Sequence, residues 1–282
     1  MSTNELSKNP SGGRIAARFA LLAAGGRKGL IAFITAGDPA LAATPGLMHA
    51  LVRGGADVIE LGVPFSDPMA DGEVIQRASE RALAQGTSLD GVLDCVAEFR
   101  RSDSVTPVVL MGYLNPYEHQ GIGRFATRAA QVGVDGVLVV DLPPEEAAEF
   151  NHALTAAGLD QIFLVAPNSP ESRIRKVCSA ASGFVYFVSV KGVTGGKAAV
   201  LDEIAARIDV TRRFAGVPVG IGFGIRTPEA AAGAAAIADA VIVGSAIVEL
   251  IEHGQTADDV AAQVEAFVAT LRTAIDAHAD AA

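Results

Sequence analysis

A glutamate near the end of one apolar run could perform acid and base chemistry with a single carboxyl group. Strand alternation in VIEL, residues 58–61, places Val58 and Glu60 on one face and the other two apolar residues on the opposite face. If those two pack against helices, Glu60 points into the interior, where desolvation raises its pKa. The pattern predicts a general acid or base at Glu60. A structural carboxylate bonded to neighbouring backbone amides is the alternative.

The loop that follows this run carries two more acidic side chains. Residues 64–72 contain two prolines, a glycine, Asp67 and Asp71, and they lie just beyond the carboxyl end of the run. Asp71 could therefore approach Glu60 from above. Two carboxyls in unlike environments can have different roles, because one can donate a proton while the other accepts a hydrogen bond. The alternative is that Asp67 and Asp71 only cap turns.

Three later loops are rich in glycine, which lets backbone N–H groups approach an anion closely. They occupy residues 192–196, 222–224 and 244–245, and a helix beginning at Ser245 would direct its positive end at the same ligand. The pattern predicts a phosphate site, with tight turns as the alternative. The second loop lacks the third glycine of a dinucleotide-binding fingerprint, so that class of site is not predicted.

Two side chains of the sixth apolar run could also reach the site. Tyr186 alternates with Phe184 and Val188, so its ring belongs to the core while its hydroxyl can face the mouth; a purely structural role is the alternative. Lys191 ends the run and could form a Schiff base, although a lysine that is solvated or attracts an anion is commoner. The five histidines and two cysteines show no ligand spacing, so no metal site is predicted.

These residues need a scaffold that gathers strand ends at one rim. Eight short runs rich in Val and Ile alternate with Ala-rich helical stretches, which is typical of a parallel sheet covered by helices. A closed sheet has no edge strands, so the pattern favours a single (β/α)8 TIM barrel over an open doubly wound sheet. The strands are predicted at residues 30–35, 57–62, 107–111, 135–140, 162–166, 184–190, 217–222 and 240–244, with helices at 145–157 and 228–237 among those between them.

Extra helices are predicted beside the eight repeats. The long interval after the second strand leaves room for an additional helix or a long loop at residues 64–88. A final amphipathic helix begins at Thr256, with Asp259 three residues on as its capping partner. The predicted organisation is a flexible N-terminal tail over residues 1–13 and one barrel domain over residues 14–282.

Composition restricts the class of protein further. The chain has 282 residues, is 50% hydrophobic and carries a formal net charge of −10, which suits a large buried core. Without clustered Lys and Arg it is unsuited to neutralising phosphate backbones, so no nucleic-acid partner is expected. No apolar run approaches the ~18 residues of a membrane span, and the N-terminus lacks a signal-peptide core. We therefore expect a cytoplasmic protein without a membrane association.

Taken together, these segments resemble the signature of the tryptophan synthase alpha chain family. The most specific is IELGVPFSDP at residues 59–68, followed by ADG at 70–72. Further matching segments stand in the family's order over about residues 29–248. They are FITAGDP at 33–39, MGYxNP at 111–116, DLP at 141–143, GVTG at 192–195 and GFGI at 222–225.

The resemblance implies a barrel that cleaves indole-3-glycerol phosphate to indole and glyceraldehyde 3-phosphate. It maps the catalytic glutamate onto Glu60 and the aspartate that binds the indole N–H onto Asp71. The chemistry agrees with the residues, since retro-aldol cleavage needs one proton delivered and one removed. Substrate-binding positions are implied at Phe33, Tyr186, Thr194, Gly195, Phe223, Gly224, Gly244 and Ser245.

The resemblance also implies a partner, a beta chain that uses pyridoxal phosphate to join indole to serine within an α2β2 heterotetramer. The cofactor then belongs to the partner, and this chain needs none. Asp67 and the loop that Lys191 precedes are assigned to loop closure and to communication with that partner. Some family members carry Arg two residues before GVTG, whereas this chain has Val190 there and Lys191 next. Because Lys lacks the planar fork of Arg, loop closure is expected to differ here.

Other functions stay open at this point. One is a Schiff-base aldolase that uses Lys191 on a small sugar phosphate. Another is a slow binding subunit whose main task is to activate the beta chain, although the presence of both carboxyls weighs against it. A stand-alone lyase that releases free indole could use the same barrel.

Overall fold

The computed structural model describes residues 12–189, 198–222 and 224–279, and its central feature is a closed barrel of eight parallel strands. Each strand pairs with the next along the chain, and the last pairs with the first. All eight lie within two residues of their predicted limits, so the predicted (β/α)8 fold is confirmed. The strands are β1 Gly29–Thr35, β2 Val58–Gly62, β3 Val108–Gly112, β4 Gly136–Val139, β5 Asp160–Val165, β6 Val185–Val188, β7 Val219–Gly222 and β8 Ala240–Val243.

Helices surround the barrel and fill the connections between its strands. Two helices follow β2, two follow β3 and two follow β8, beyond the one-per-strand repeat. Within the described ranges the helices are α1 Arg14–Ala24, α2 Thr44–Arg53, α3 Glu73–Ala84, α4 Leu89–Phe99, α5 Leu114–Gln120, α6 Ile122–Val132, α7 Ala148–Ala156, α8 Glu171–Ala180, α9 Ala198–Phe214, α10 Pro228–Ile237, α11 Ser245–His253 and α12 Ala257–Ala279.

The strands are buried on both faces, and the two faces pack against different neighbours. Ile59 and Leu61 belong to the large apolar layer between the sheet and the helices. Val58 belongs to the core inside the barrel instead. The predicted alternation along β2 is therefore confirmed, and it leaves Glu60 on the inward face.

Helix α1 closes the amino-terminal end of the barrel. Its side chains Ile15, Phe19 and Leu22 pack with Ile31 and Val58 in the interior. These apolar side chains fill the barrel interior next to α1, whereas the loops that follow the strands surround the carboxyl-terminal end. That division is general for this architecture, in which loops after the strands build the site.

Local sequence signals account for several helix ends. The Thr227 side chain accepts the N–H of Ala230 at 3.3 Å to begin α10, and the Thr256 hydroxyl accepts the N–H of Asp259 at 3.2 Å at the start of α12. Helix α3 is the predicted additional helix after β2. Gly133 ends α6 at φ +91°, a left-handed conformation that favours glycine.

One predicted helix boundary was wrong. The helix expected from residue 145 begins at Ala148 instead. The N–H of Glu146 donates to the carbonyl of Pro143 at 3.0 Å, so residues 143–146 form a turn. The charged residues after the prolines thus belong to this turn and not to the first turn of α7.

No helix in the described part of the chain is both long enough and apolar enough to span a membrane. The division into a tail over residues 1–13 and one domain over 14–282 stays a prediction, since residues 1–11 lie outside the described ranges.

Candidate active site

A cavity of about 310 Å³ opens at the carboxyl-terminal end of the barrel. Side chains from β1, β2, β5 and β6 form its floor and walls, and loops after β2, β7 and β8 form its rim. It gathers seven of the residues that the sequence singled out, namely Phe33, Glu60, Asp71, Tyr186, Gly224, Gly244 and Ser245.

Glu60 occupies the floor of this cavity. It stands in register with Phe33 on β1 and with Val109 on β3, and it is only 1% exposed. Its Oε1 atom has no hydrogen-bond partner among the described residues. Burial, and secondly the negative charge of Asp71, raise the pKa of Glu60 from 4.5 to about 8. The structural alternative, a carboxylate satisfied by backbone amides, does not fit an oxygen without a partner.

Asp71 lies on the rim, in a loop that Tyr113 holds in place. The Tyr113 hydroxyl accepts the N–H of Ala70 at 3.0 Å, and its ring stacks on Phe65 with 5.1 Å between centroids. The side-chain amide of Gln76 donates to the Asp71 carbonyl at 2.8 Å. Burial raises the pKa of Asp71 to about 6, and a hydrogen bond from Tyr113 opposes the rise. The loop thus presents Asp71 to the cavity in a fixed position.

The two carboxyls have different protonation states near neutral pH. With a pKa of about 8, Glu60 is mostly protonated at pH 7, whereas Asp71, with a pKa of about 6, is mostly ionised. Environments that separate two pKa values in this way assign one group as proton donor and the other as a fixed negative charge. The site can therefore protonate a bound ligand and stabilise the positive charge that results.

Two aromatic side chains form walls of the cavity beside Glu60. The Tyr186 hydroxyl lies so close to Gly222 that a Cβ atom there would stand 2.3 Å from it. The Phe33 ring also approaches Gly62 closely, since a Cβ atom at Gly62 would stand 2.6 Å from it. Burial, followed by the charges of both carboxyls, raises the pKa of Tyr186, so its hydroxyl stays neutral. These glycines allow flat, apolar walls that suit an aromatic ring.

Part of the cavity rim is built from backbone. Gly224 has φ +75°, and Gly244 and Ser245 stand at the start of α11. The first N–H groups of a helix lack acceptors within the helix, and its dipole favours an anion at this end. The arrangement can hold the phosphate group of a bound ligand.

Other predicted site residues do not line the cavity or cannot be placed. Asp67 is exposed on the rim loop, where it accepts a hydrogen bond from the Ser66 hydroxyl. Five predicted positions lie outside the described residues, namely Val190, Lys191, Thr194, Gly195 and Phe223.

The sequence analysis missed two residues of the site. Tyr113 follows directly after β3, so the search for polar residues at strand ends could have found it. Arg226 lines the cavity two residues beyond Gly224, and a cation beside a glycine-rich anion loop was the available signal. Within the described ranges, no group of three or more His, Cys, Asp or Glu side chains is placed to hold a metal ion.

Comparisons with known proteins agree over almost the whole chain. A family model described as tryptophan synthase alpha chain matches residues 19–276. The tryptophan synthase alpha chain of Ralstonia nicotianae is 57% identical over 264 residues, which cover 94% of this chain and 99% of that protein. The crystal structure of tryptophan synthase subunit alpha from Legionella pneumophila is similar with a TM-score of 0.88 at 44% identity, covering 94% of this chain and 99% of that one. Tryptophan synthase from M. tuberculosis in an aminoacrylate-bound form gives a TM-score of 0.83 at 33% identity over 93% and 98% of the two chains.

Proposed function

The chain belongs to the tryptophan synthase alpha chain family, and on this premise we propose that the cavity between Glu60 and Asp71 is its catalytic site. The chain is a lyase of tryptophan biosynthesis, and the function of its family is retro-aldol cleavage with transfer of indole to a beta chain. The observation that carries the proposed site is the pair of carboxyls with separated pKa values, of which Glu60 is buried without a hydrogen bond at Oε1.

The proposed substrate is indole-3-glycerol phosphate, whose parts match the parts of the cavity. Its flat ring fits between Phe33 and Tyr186, and its phosphate fits at Gly224, Gly244 and Ser245. By the family resemblance, the positions at Thr194, Gly195 and Phe223 complete the phosphate end. The three-carbon chain between ring and phosphate then lies above Glu60.

The proposed mechanism uses Glu60 twice. Protonated Glu60 donates its proton to the ring carbon that bears the side chain, which leaves a positive charge shared with the ring nitrogen. The Glu60 carboxylate then takes the proton of the hydroxyl on the adjacent side-chain carbon. As the aldehyde C=O forms, the bond between this carbon and the ring breaks, and its electron pair returns to the ring. Indole and glyceraldehyde 3-phosphate leave, and Glu60 is protonated again.

Asp71 acts in the same mechanism through its charge. An ionised carboxylate that accepts the ring N–H stabilises the cation formed by protonation, and this interaction is stronger in the transition state than in the bound substrate. Burial strengthens the interaction because little water screens it. Loss of Asp71 should therefore reduce kcat more than binding.

The proposal includes a partner and a location. We expect a tryptophan synthase beta chain that carries the pyridoxal phosphate, in an α2β2 heterotetramer, and no cofactor in this chain. Asp67 and Lys191 belong to the loops expected to close at that interface. The expected location is the cytoplasm, and no nucleic-acid partner is expected because the chain is acidic overall.

The experiment that tests this function measures indole release from indole-3-glycerol phosphate by the purified chain, with and without a tryptophan synthase beta chain. Slow release that the beta chain strongly accelerates supports the synthase subunit. Fast release by the chain alone would instead indicate a free-standing lyase. No release in either condition would overturn the proposal and return attention to a Lys191 aldolase or a binding subunit.

A further inference from the structure

The charges that line the cavity do not by themselves suit a phosphate ester. The charged side chains that line it among the described residues are Glu60, Asp71 and Arg226. A phosphate monoester carries a charge of about −1.5 to −2 at neutral pH. It would enter a cavity with an ionised Asp71, in a chain with a net charge of −10. Arg226 is the one cation that the described lining offers against this repulsion.

Arg226 stands on the side of the cavity where the phosphate is proposed to bind. It follows Ile225 in the loop between β7 and α10, and Gly224, Gly244 and Ser245 line the same cavity. Its guanidinium pairs with Glu249, four residues beyond Ser245 on α11. Residues four apart share one face of a helix, so this pairing holds Arg226 beside the first turn of α11.

We propose that Arg226 is a specificity-determining residue for the phosphate group, and that Glu249 is the counterion it exchanges for the phosphate on binding. This inference rests on the proposed function. A guanidinium can bind two phosphate oxygens through parallel N–H groups, which a single backbone amide cannot do. The side chain of Arg226 is 45% exposed, so it is free to turn between the two partners.

A second ion pair on α11 provides a matched control. Arg77 on α3 pairs with Glu252 at 2.7 Å, and its side chain is also 45% exposed. Arg77 does not line the cavity. Both arginines are half-exposed, and Glu252 keeps Arg81 as a second partner at 2.8 Å, so removing either Arg226 or Arg77 should cost little stability. We therefore expect substitution of Arg226 to weaken substrate binding and substitution of Arg77 to leave it unchanged.

The test compares Arg226→Gln, Arg226→Lys and Arg77→Gln with the wild-type chain in steady-state cleavage of indole-3-glycerol phosphate. For Arg226→Gln we expect KM to rise about three- to tenfold with kcat within about twofold, because a half-exposed charge contributes modestly. Arg226→Lys should recover part of the loss, and Arg77→Gln should leave KM unchanged. The inhibition constant of glycerol 3-phosphate, a probe without the ring, should rise in parallel for Arg226→Gln.

Glu249→Gln gives a result that a purely structural ion pair would not. Removing the competing carboxylate should lower KM and the inhibition constant of glycerol 3-phosphate about two- to fivefold, and added NaCl should reduce the difference. The inference is overturned if Arg226→Gln leaves both constants unchanged, or if Glu249→Gln raises them. A wild-type chain that cleaves no indole-3-glycerol phosphate either alone or with a beta chain would defeat the proposed function itself, while glycerol 3-phosphate binding would still test Arg226.

Discussion

Acidic side chains stand at both ends of the barrel, but in opposite electrostatic surroundings. At the amino-terminal end, three aspartates directly precede β2, β4 and β8. Each accepts a backbone N–H from the preceding strand of the barrel, that is from β1, β3 or β7, at 2.8 to 2.9 Å. Each also pairs with an arginine. The pairs are Asp57 with Arg272 at 2.9 Å, Asp135 with Arg100 at 2.8 Å and Asp239 with Arg212 at 2.9 Å. At the carboxyl-terminal end, Glu60 and Asp71 have no ion pair with a described residue.

The difference indicates that the acids at the amino-terminal end stabilise the fold, whereas those at the carboxyl-terminal end are suited to proton transfer. Burial raises the pKa of Asp57, but the N–H of Leu30 and the charge of Arg272 oppose the rise. Burial also raises the pKa of Glu60, and there the charge of Asp71 adds to the rise. A carboxylate held by arginine joins neighbouring elements, whereas a carboxyl that keeps its proton near neutral pH can donate it.

The largest expected effect is on catalysis at the carboxyl-terminal end. Glu60→Gln keeps the shape of the side chain but removes both proton transfers, so kcat for indole release should fall by about 10³-fold or more. Indole release with the beta chain present measures it, and circular dichroism checks the fold. Substantial residual cleavage would remove Glu60 from its role.

The same variant should be more stable than the wild type at alkaline pH. The folded chain keeps a proton on Glu60 between pH 4.5 and about 8, whereas the unfolded chain releases it. This contribution to stability is present below pH 4.5 and is lost as the pH rises toward 8. Glutamine has no such loss, so Glu60→Gln should unfold with a free energy roughly 2–4 kcal/mol higher than wild type at pH 8. Identical denaturant unfolding curves for the wild type and Glu60→Gln at pH 8 would contradict the conclusion that Glu60 is buried without a compensating partner.

Asp71→Asn tests the other carboxyl of that end. We expect kcat to fall about 10²- to 10³-fold, since the charge that stabilises the ring cation is lost. Because the Asp71 charge raises the pKa of Glu60, its removal should also shift the alkaline limb of the pH–rate profile to lower pH. A reduced rate with an unshifted limb would show that the two carboxyls are not coupled.

Arg100→Met tests the amino-terminal end, where the expected effect is on stability. Arg100 also donates to the carbonyls of Gly133 and Thr106 at 2.9 and 2.7 Å, so its loss removes these two hydrogen bonds together with the ion pair to Asp135. The free energy of unfolding should fall by about 3 kcal/mol, with kcat and KM of the folded chain unchanged. The adjacent Arg101 is 76% exposed and pairs with Glu98, so Arg101→Met should cost less than about 1 kcal/mol. Similar losses for both variants would refute the contrast between the buried and exposed pairs.

The smallest expected effect concerns the hydrogen bond that positions Asp71. Tyr113→Phe removes the hydroxyl that lowers the pKa of Asp71, so this pKa should rise and less of Asp71 is ionised at pH 6. We expect cleavage to fall about three- to tenfold at pH 6 and less at pH 8. Tyr117→Phe is the control, because the Tyr117 hydroxyl is buried without a hydrogen-bond partner among the described residues and does not line the cavity. A pH-independent loss in Tyr113→Phe would argue for a packing role alone.

Most of the fold could be predicted because its signals are local. The eight strands were recognisable as apolar runs, the start of α10 by Pro228, and the start of α12 by the capping residue Thr256. The start of α7 was missed because the turn after Pro143 depends on a hydrogen bond that composition does not reveal. The resemblance to a family added the roles of Asp71 and the glycine loops, which spacing alone left open.

The sequence by itself determined that Glu60 faces the inside of the barrel. The two-residue period of a strand is a property of the backbone, so burying Ile59 and Leu61 against helices fixes Glu60 on the opposite face. Only the tertiary structure decided which groups surround each acid. Arg272 reaches Asp57 across 215 residues of chain, and Tyr113 holds the loop of Asp71 from the next strand. Such pairings depend on how helices and loops pack around the closed sheet, and that packing sets the local dielectric and the charges that tune each carboxyl.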